Sequence, residues 1–383
     1  MEKFMYEISK TIENKIKDNT NLIVPHMILE KIINDGMISR SSLAKELQVT
    51  KTIISKRVNE LIADGLLQEV GKGNNSLGKK EILLDLNLKY RNLLVVDFSK
   101  NKLTIGVYDM KKGMIYEEAV DMPETEKVRE LLETIINTKS NKELIEIVIF
   151  SMPTVVDGMK ILVEDNEKMV EVFEEMRCWC FENYFKIKLF NDVELEAIAI
   201  KNSDDFKKYS NMIIMSGHYG IGGSIVFDSK IFHGDKNFAG ELGFLNSRLV
   251  DGKLETFEDR CSIKSLMARY NKENDANIDL KKFKQLVKDK DKVIYNYYEA
   301  VIMEVAEVIY NVRCVIDIEN YILTGDLFNL RSDFREKIEE IIQEIAIVDK
   351  PLNISFAQSE TNSLKGAKIM GISYLVDSYL NRM

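Results

Sequence analysis

Proline is scarce in this chain, with four in 383 residues, and no stretch is rich in both glycine and serine. That composition excludes Pro-rich spacers and long low-complexity tracts, so most of the chain is expected to fold. Cysteine is equally scarce. Cys178, Cys180, Cys261 and Cys314 are too few and too scattered for a disulfide scaffold. Cys178-Trp179-Cys180 could be half of a metal site, but with no second pair it reads as one face of a helix in a core. No apolar run reaches the roughly 20 residues needed to cross a bilayer. The opening "MEKFMYEISKTIENKIKDNT" is charged throughout and does not read as a signal peptide. A cytoplasmic location with reduced thiols and no membrane partner is therefore expected. Positive charge is also short: 53 Lys and Arg face 62 Asp and Glu, a net charge of −9. A body coated in nucleic acid is excluded, whereas a small basic head on an acidic body is not.

What is present is ample. Hydrophobic residues make up 45% and charged residues 30%, an ordinary balance for a globular protein. Single cores stop growing at roughly 250–300 residues, so two or more domains are expected. Between Met37 and Glu81 the sign of the charge reverses: eight Lys/Arg stand against five acids, a local balance of +3.

That segment has a pattern. Ile28, Leu29, Ile32 and Ile33 lie at the spacing of one buried helical stripe, which Asp35-Gly36 ends. Ser39 is placed to cap a second helix carrying Leu43, Ala44 and Leu47. Gln48-Val49 forms a turn, and Thr50 caps a third helix with Ile53, Ile54, Val58, Leu61 and Ile62 inward. Lys51, Thr52, Ser55 and Lys56 point outward near its start, with Arg57 close by. Small polar and basic groups there suit a helix in a major groove, with Ser and Thr reaching base edges or phosphates and Lys and Arg neutralising phosphate. Leu66–Val70 and Glu81–Leu86 then read as two strands around the loop Gly71–Lys80, which makes the unit a winged helix. Each feature alone would fit a small structural domain with solubilising lysines. Together they favour DNA binding, with Ser39, Arg40, Thr50, Lys51, Thr52, Ser55, Lys56 and Arg57 on the DNA side and Lys72, Lys79 and Lys80 at or near the wing tip.

After Leu86 the pattern changes. Leu93–Phe98, Leu103–Tyr108 and Met114–Ala119 read as strands, followed by the amphipathic helix "TEKVRELLETIINTK" and the buried strand "IEIVIFSMP". A helix at "KMVEVFEEMRCWCFENYF" and a strand at "KIKLFND" follow. "NMIIMSGHYGIGGSIVFDSKIFHGD" starts a second set of strands, followed by one long helical stretch from about Leu280 to Cys314, the strand "YILTGDL" and a C-terminal helix. The repeat of strand meander and helices predicts two related α/β lobes. Met110, Met114 and Met122 read as core filler, and His218 and His233 as loop residues.

The chain resembles the ROK family of repressors, open reading frames and sugar kinases, in its branch of regulators with a fused winged helix. The resemblance runs through "ISRSSLAKELQVTKTIISKRVNELIADGLLQEVG", "NSLGKKEILLDLN", "LFNDVELEAIAI", "GIGGSIVFDSKIFHGDKNFAGELG" and "LETFEDRCSIKSL". "FAGELG" followed by "LET" is the specific part. It implies an α/β fold: an N-terminal winged helix-turn-helix over 1–88 and a two-lobed actin-like, hexokinase-like (ribonuclease H-like) body. The body's first lobe would span 89–190, completed by a helix at 364–383, and its second 191–363.

In kinases of the family, ATP and sugar meet between the lobes, and the resemblance shows which parts of that chemistry remain. The first phosphate turn matches "VDFSKNKLTIGVYD": Asp97 is kept, but Ser99 and Lys100 stand where glycines let the backbone approach phosphate. The second turn keeps Gly217 but replaces a Thr and its neighbour by His218 and Tyr219. Asn191 and Asp192 match the sugar-site pair whose Asp is the catalytic base, and Glu241 and Glu255 match two sugar-binding glutamates. Phe244 stands where the family has a His that binds sugar and zinc. "LNSRLVDGK" replaces the zinc cysteines, leaving Cys261 alone. Bare sequence would read Asn191-Asp192 as a strand-end turn and Glu241 and Glu255 as solvated charges.

The resemblance thus implies a DNA-binding repressor without catalysis, cofactor or metal. It would bind an operator as a dimer or tetramer and hold a sugar or sugar-phosphate effector at Asn191, Asp192, Glu241 and Glu255. The alternatives are an active ATP-dependent sugar kinase with a DNA-binding head, and a ligand-free dimeric interaction protein.

Overall fold

A computed structural model describes residues 20–72, 81–87, 92–98, 102–109, 113–140, 142–163, 166–345, 352–358 and 362–380. The chain divides into two compact units. One comprises Met1–Phe150, Asn166–Lys188 and Ala367–Met383; the other comprises Ser151–Asp165 and Leu189–Gly366.

The first unit begins with helix α1 (Thr20–Asp35), closed at Gly36, whose φ of +80° is the left-handed stop that glycine adopts without strain. Strand β1 (Ile38–Ser39) leads into α2 (Arg40–Glu46). Gln48, at φ +55°, turns the chain toward α3 (Lys51–Ala63). Strands β2 (Leu67–Lys72) and β3 (Ile82–Leu86) complete a three-stranded sheet in the order β1-β3-β2. Ile28, Leu29, Leu43, Ile54, Val58, Leu61 and Leu84 are its fully buried side chains. The order of three helices and two paired strands is consistent with the winged helix-turn-helix expected from the sequence. One inward assignment fails: Ile53 is 45% exposed. It lies about 100° around the helix from Ile54, outside the stripe that Ile54, Val58 and Leu61 define.

The remainder of this unit is an α/β layer. Strands β4 (Asn92–Asp97), β5 (Lys102–Asp109) and β6 (Gly113–Asp121) form an antiparallel meander. Helix α4 (Val128–Lys139), strand β7 (Ile145–Met152), helix α5 (Glu167–Glu182) and strand β10 (Lys186–Asn191) follow; the short hairpin β8 (Val156–Asp157) and β9 (Lys160–Ile161), between β7 and α5 in the chain, belongs to the second unit. The sheet order is β10-β7-β4-β5-β6. Every residue of β4 is buried, and Phe98 and Phe150 pack edge-on against Phe173 of α5. Edge strand β6 leaves Met114 exposed, so that methionine is not core filler. Met122 is partly covered, and Met110 lies outside the described residues. Cys178 and Cys180 lie on α5, the first exposed and the second buried; burial pushes the Cys180 thiol up to about 12.

The second unit repeats the plan. Helix α6 (Asp192–Lys201) precedes the meander β11 (Met212–Gly217), β12 (Ile221–Phe227) and β13 (Lys230–Ile231). A small hairpin of β14 (Arg248–Val250) and β15 (Lys253–Glu255) leads to α7 (Phe257–Cys261) and α8 (Ile263–Glu273). The predicted single stretch from Leu280 is two helices, α9 (Leu280–Lys288) and α10 (Lys292–Ile316). Lys290, at φ +55°, breaks them apart, and the Asp291 side chain caps α10 by accepting from the Val293 and Ile294 amides. Strand β16 (Asn320–Thr324), helices α11 (Asp326–Asn329) and α12 (Phe334–Ile345) and strand β17 (Asn353–Ala357) follow, and helix α13 (Asn362–Leu380) starts in this unit but from Ala367 on belongs to the first.

This sheet runs β13-β12-β11-β16-β17. Numbered within each sheet, both read third, second, first, fourth, fifth, which is the internal duplication expected from the sequence. Strand β11 is buried on both sides: Ile213 and Met215 enter the core under α9 and α10, while Met212 and Ile214 face Ala197 and Ile200 of α6. Two covered faces explain why this strand is an unbroken apolar run.

Candidate functional site

Two places carry candidate chemistry, the head in the first unit and a carboxylate cluster in the second.

In the head, α2 and α3 are fixed by side-chain caps. The Ser39 hydroxyl accepts the Ser42 amide at 3.1 Å, and the Thr50 hydroxyl accepts the Ile53 amide at 3.4 Å. Ser39 is only 2% exposed and also donates to the Glu81 carboxylate at 2.6 Å, while Ser41 bonds the other oxygen of Glu81. These hydroxyls hold the Glu81 carboxyl below the usual range. Ser39 therefore faces inward as a structural cap, and its expected place on the DNA side is corrected. Arg40 is half-buried and donates to Glu69 at 2.8 Å and to Asn59 at 3.1 Å. Arg57 pairs with Glu60 one turn on, at 2.8 Å. The exposed members of the expected set are Thr50, Lys51, Thr52 and Lys56, with Ser55 partly covered. They sit on the first turns of α3 and just before it. Lys72 ends β2, and Lys79 and Lys80 lie outside the described residues.

In the second unit, Asn191 and Asp192 open α6. The Asn191 side chain accepts the Val193 and Glu194 amides at 2.8 and 3.2 Å and donates to the Thr154 carbonyl at 3.0 Å. Asn191 is thus committed to capping and to holding the turn. Asp192 Oδ1 also accepts the Val193 amide. Glu241 lies on the segment Gly240–Gly243, which is pressed against the backbone of β12. A β-carbon on Gly240 would sit 3.0 Å from Ser224 Cα, and one on Gly243 would sit 2.4 Å from the Ile221 carbonyl. Gly222 and Gly223 admit the two segments: a β-carbon on the first would strike Val193, and one on the second would strike Leu242. Because neighbouring side chains of a strand point to opposite faces, the two turns approach β12 from its two sides.

Burial raises the Glu241 carboxyl, and the adjacent Glu258 raises it further, to about 7. Glu258 itself accepts the Ile221 amide at 3.3 Å. Sequence reasoning missed Glu258, because the glycines that make room for it, Gly220 and Gly243, are far apart in the chain and meet it only in the fold. Glu255 ends β15, and its carbonyl accepts from Arg260.

A second group of carboxylate contacts was also missed. Glu196, on α6, is 3% exposed. It accepts the Ser216 hydroxyl at 2.6 Å and the Thr324 hydroxyl at 2.9 Å, and His218 Nε2 lies 3.3 Å away. Burial alone would raise this carboxyl, but His218, Ser216 and Thr324 outweigh it and hold the group ionised, below its usual range. His218 is therefore more than a loop residue: it packs the turn Gly217–Gly220 down onto a buried negative charge. His233 Nε2 lies 3.8 Å from Glu194.

The donors available do not fit the zinc ion found elsewhere in the family that the sequence resembles. Residues 244–254 carry neither His nor Cys, and Cys261 is buried with its thiol pushed up, hence neutral and a poor ligand.

Comparison with known proteins agrees with this architecture. A profile described as the ROK family matches residues 93–378. The chain is 22% identical over 330 residues to the xylose repressor of Staphylococcus xylosus, spanning 82% of this chain and 85% of that protein. Among solved structures, a ROK family transcriptional regulator homologous to the E. coli MLC protein superposes with a TM-score of 0.73, at 18% identity over 94% of this chain and 98% of its own. The ROK hexokinase from Thermus thermophilus gives 0.59, at 19% identity over 74% of this chain and 98% of its own. These likenesses show the fold, an α/β body of the actin-like sugar-kinase kind. Among the described residues no helix is long and apolar enough to cross a membrane. With a family profile matching from the start of β4 to the last turn of α13, the chain belongs to the ROK family.

Proposed function

We propose that this protein is a DNA-binding transcriptional repressor of the cytoplasm that reads an operator through α3 as a homo-oligomer. The carrying observation is the exposed face of α3, where Thr50, Lys51, Thr52 and Lys56 present donors and positive charge at the positive end of a helix dipole. Arg40 and Arg57 are tied to acids of the head, so the exposed Lys51 and Lys56 supply the charge that this face presents. Lys72, at the end of β2, is a further candidate for a phosphate contact. The name of the xylose repressor relative supports the same reading. So does the likeness to a ROK regulator over 94% of this chain against 74% for the hexokinase, a difference close to the size of the head.

The effector in this reading is an uncharged sugar held by Asp192, Glu241 and Glu255. A carboxyl such as Glu241, raised to about 7 by burial and by Glu258, can donate as well as accept a hydrogen bond, which suits a hydroxylated ligand. The ligand acts through different affinities for DNA-competent and incompetent states. Sugar-kinase activity is not part of the proposal. The buried anionic Glu196 beneath Gly217–Gly220 repels phosphate, and His218 fills that turn.

The test is binding of the full chain to duplexes selected from a random pool, measured against salt. Affinity should fall steeply as salt rises, and Lys56→Ala should reduce the slope by about 0.9 for each phosphate that the lysine neutralises. Binding without salt dependence overturns the proposal. Thermal-shift screening against neutral sugars and sugar phosphates should give a rise with a neutral sugar. Turnover in a coupled kinase assay that Asp192→Asn abolishes would restore the catalytic alternative.

A further inference from the structure

The first turn of α3 breaks three local rules of helix stability at once. Counting from the cap Thr50, Ile53 is the third helical residue, the place where a Glu or Gln would reach back and complete a capping box. The chain builds such a box elsewhere: at the start of α7, Thr256 accepts the Asp259 amide and the Asp259 carboxylate accepts the Thr256 amide. At α3 the Thr50 half is present but the reciprocal half is not, because Ile53 has no acceptor. Secondly, the turn carries no acid and instead has Lys51 at the positive end of the dipole. Thirdly, Ile53 is β-branched, apolar and 45% exposed.

Ile53 lies about 60° around the helix from Lys56 and about 100° from the core residue Ile54. It therefore belongs to the outward face. Local rules broken together, with nothing among the described residues of the head compensating, mark a surface selected for something other than stability. On this face Lys51 and Lys56 serve phosphates, and Thr52 and Ser55 serve hydrogen-bonding edges. Ile53 is the one wholly apolar side chain on this face. In the major groove the C5-methyl of thymine is the apolar feature of a base pair, and it separates A·T from the other pairs at that edge.

We propose that Ile53 is a specificity-determining residue that packs against a thymine C5-methyl in each operator half-site. This rests on the reading of α3 as the DNA-binding helix and adds a base to it. The side chain contributes discrimination rather than charge. Its removal should therefore change which sequences bind and leave the salt dependence as it was.

The experiment uses the full chain, its Ile53→Ala and Ile53→Val variants, and a duplex selected from a random pool. Each thymine is replaced in turn by deoxyuridine, which lacks only the methyl. For the wild-type chain one thymine per half-site should be sensitive, with affinity falling roughly fourfold, as expected for one buried methyl-sized group. In Ile53→Ala the same replacement should change affinity less than about twofold, while Ile53→Val, which keeps both γ-carbons, should stay sensitive. Both variants should melt with the wild-type chain, since Ile53 is outside the core. The inference is overturned if no thymine is methyl-sensitive, or if the sensitivity is the same in Ile53→Ala. Selective, salt-dependent binding with no role for Ile53 leaves the repressor reading standing. Absence of any selective DNA binding sinks both.

Discussion

Glu241→Gln should stabilise the protein at high pH and leave it unchanged at low pH. The Glu241 carboxyl moves from an ordinary 4.5 to about 7 through burial and then through Glu258. Below the ordinary value it is protonated whether the chain is folded or not, and Glu and Gln are equivalent. As the pH rises through 7, the folded protein ionises a desolvated carboxyl beside a second acid, whereas the unfolded chain ionised it earlier and more easily. Stability is lost across that window. A displacement from 4.5 to about 7, at about 1.36 kcal/mol per pH unit, sets an upper limit of about 3 kcal/mol. Partial solvent access to the side chain lowers the expected loss to ~1.5 kcal/mol. The assay is urea unfolding of the full chain and of Glu241→Gln at pH 4 and pH 8, on either side of the window from 4.5 to about 7. The two midpoints should nearly coincide at pH 4, and the variant should be higher at pH 8. Equal midpoints at both values, or a less stable variant at pH 8, would refute the reasoning, because Glu241 would then carry a compensated charge in the folded protein.

Glu196→Ala should cost about 3 kcal/mol, because it leaves the buried hydroxyls of Ser216 and Thr324 without their acceptor, at roughly 1–3 kcal/mol each. Glu196→Gln, which retains an acceptor, should cost less, and urea midpoints for the pair would show the order. Gly366→Ala should fail to fold or melt far lower, because a β-carbon there would stand 1.9 Å from the Leu195 carbonyl, a clash with backbone that no rotamer relieves; a wild-type melting temperature would contradict the close packing of the start of α13 on α6.

Local patterns are legible in the sequence, and distant partnerships are not. Gly36, Ser39 and Thr50 mark helix ends through their own chemistry, so the bounds of α1, α2 and α3 follow from a few adjacent residues. The repeat of meander and helices foretells two sheets of the same strand order. Ile53 misleads because an apolar residue beside Ile54 fits a stripe by type, and only the angle around the helix separates the two. Ser39 is legible as a cap, but its inward orientation is not, since its second partner, Glu81, lies 42 residues further on. Glu196 looks like a solvated charge in "VELEAIAI". Its hydroxyl partners come from β11 and β16, 20 and 128 residues away, so no window of sequence contains the site. Glu241 can be placed by resemblance, but its retained proton depends on burial and then on Glu258, which comes close because glycines let backbone segments meet.

The bonds from Ser39 and Ser41 to Glu81 join the start of α2 to the residue just before strand β3. The start of the helix and the start of the strand are thereby one mechanical part. Substitutions in the two places will show epistasis rather than simple addition. With the head as the proposed DNA reader, a lineage moving to a new operator has to change both together, or pass through intermediates that bind neither sequence well.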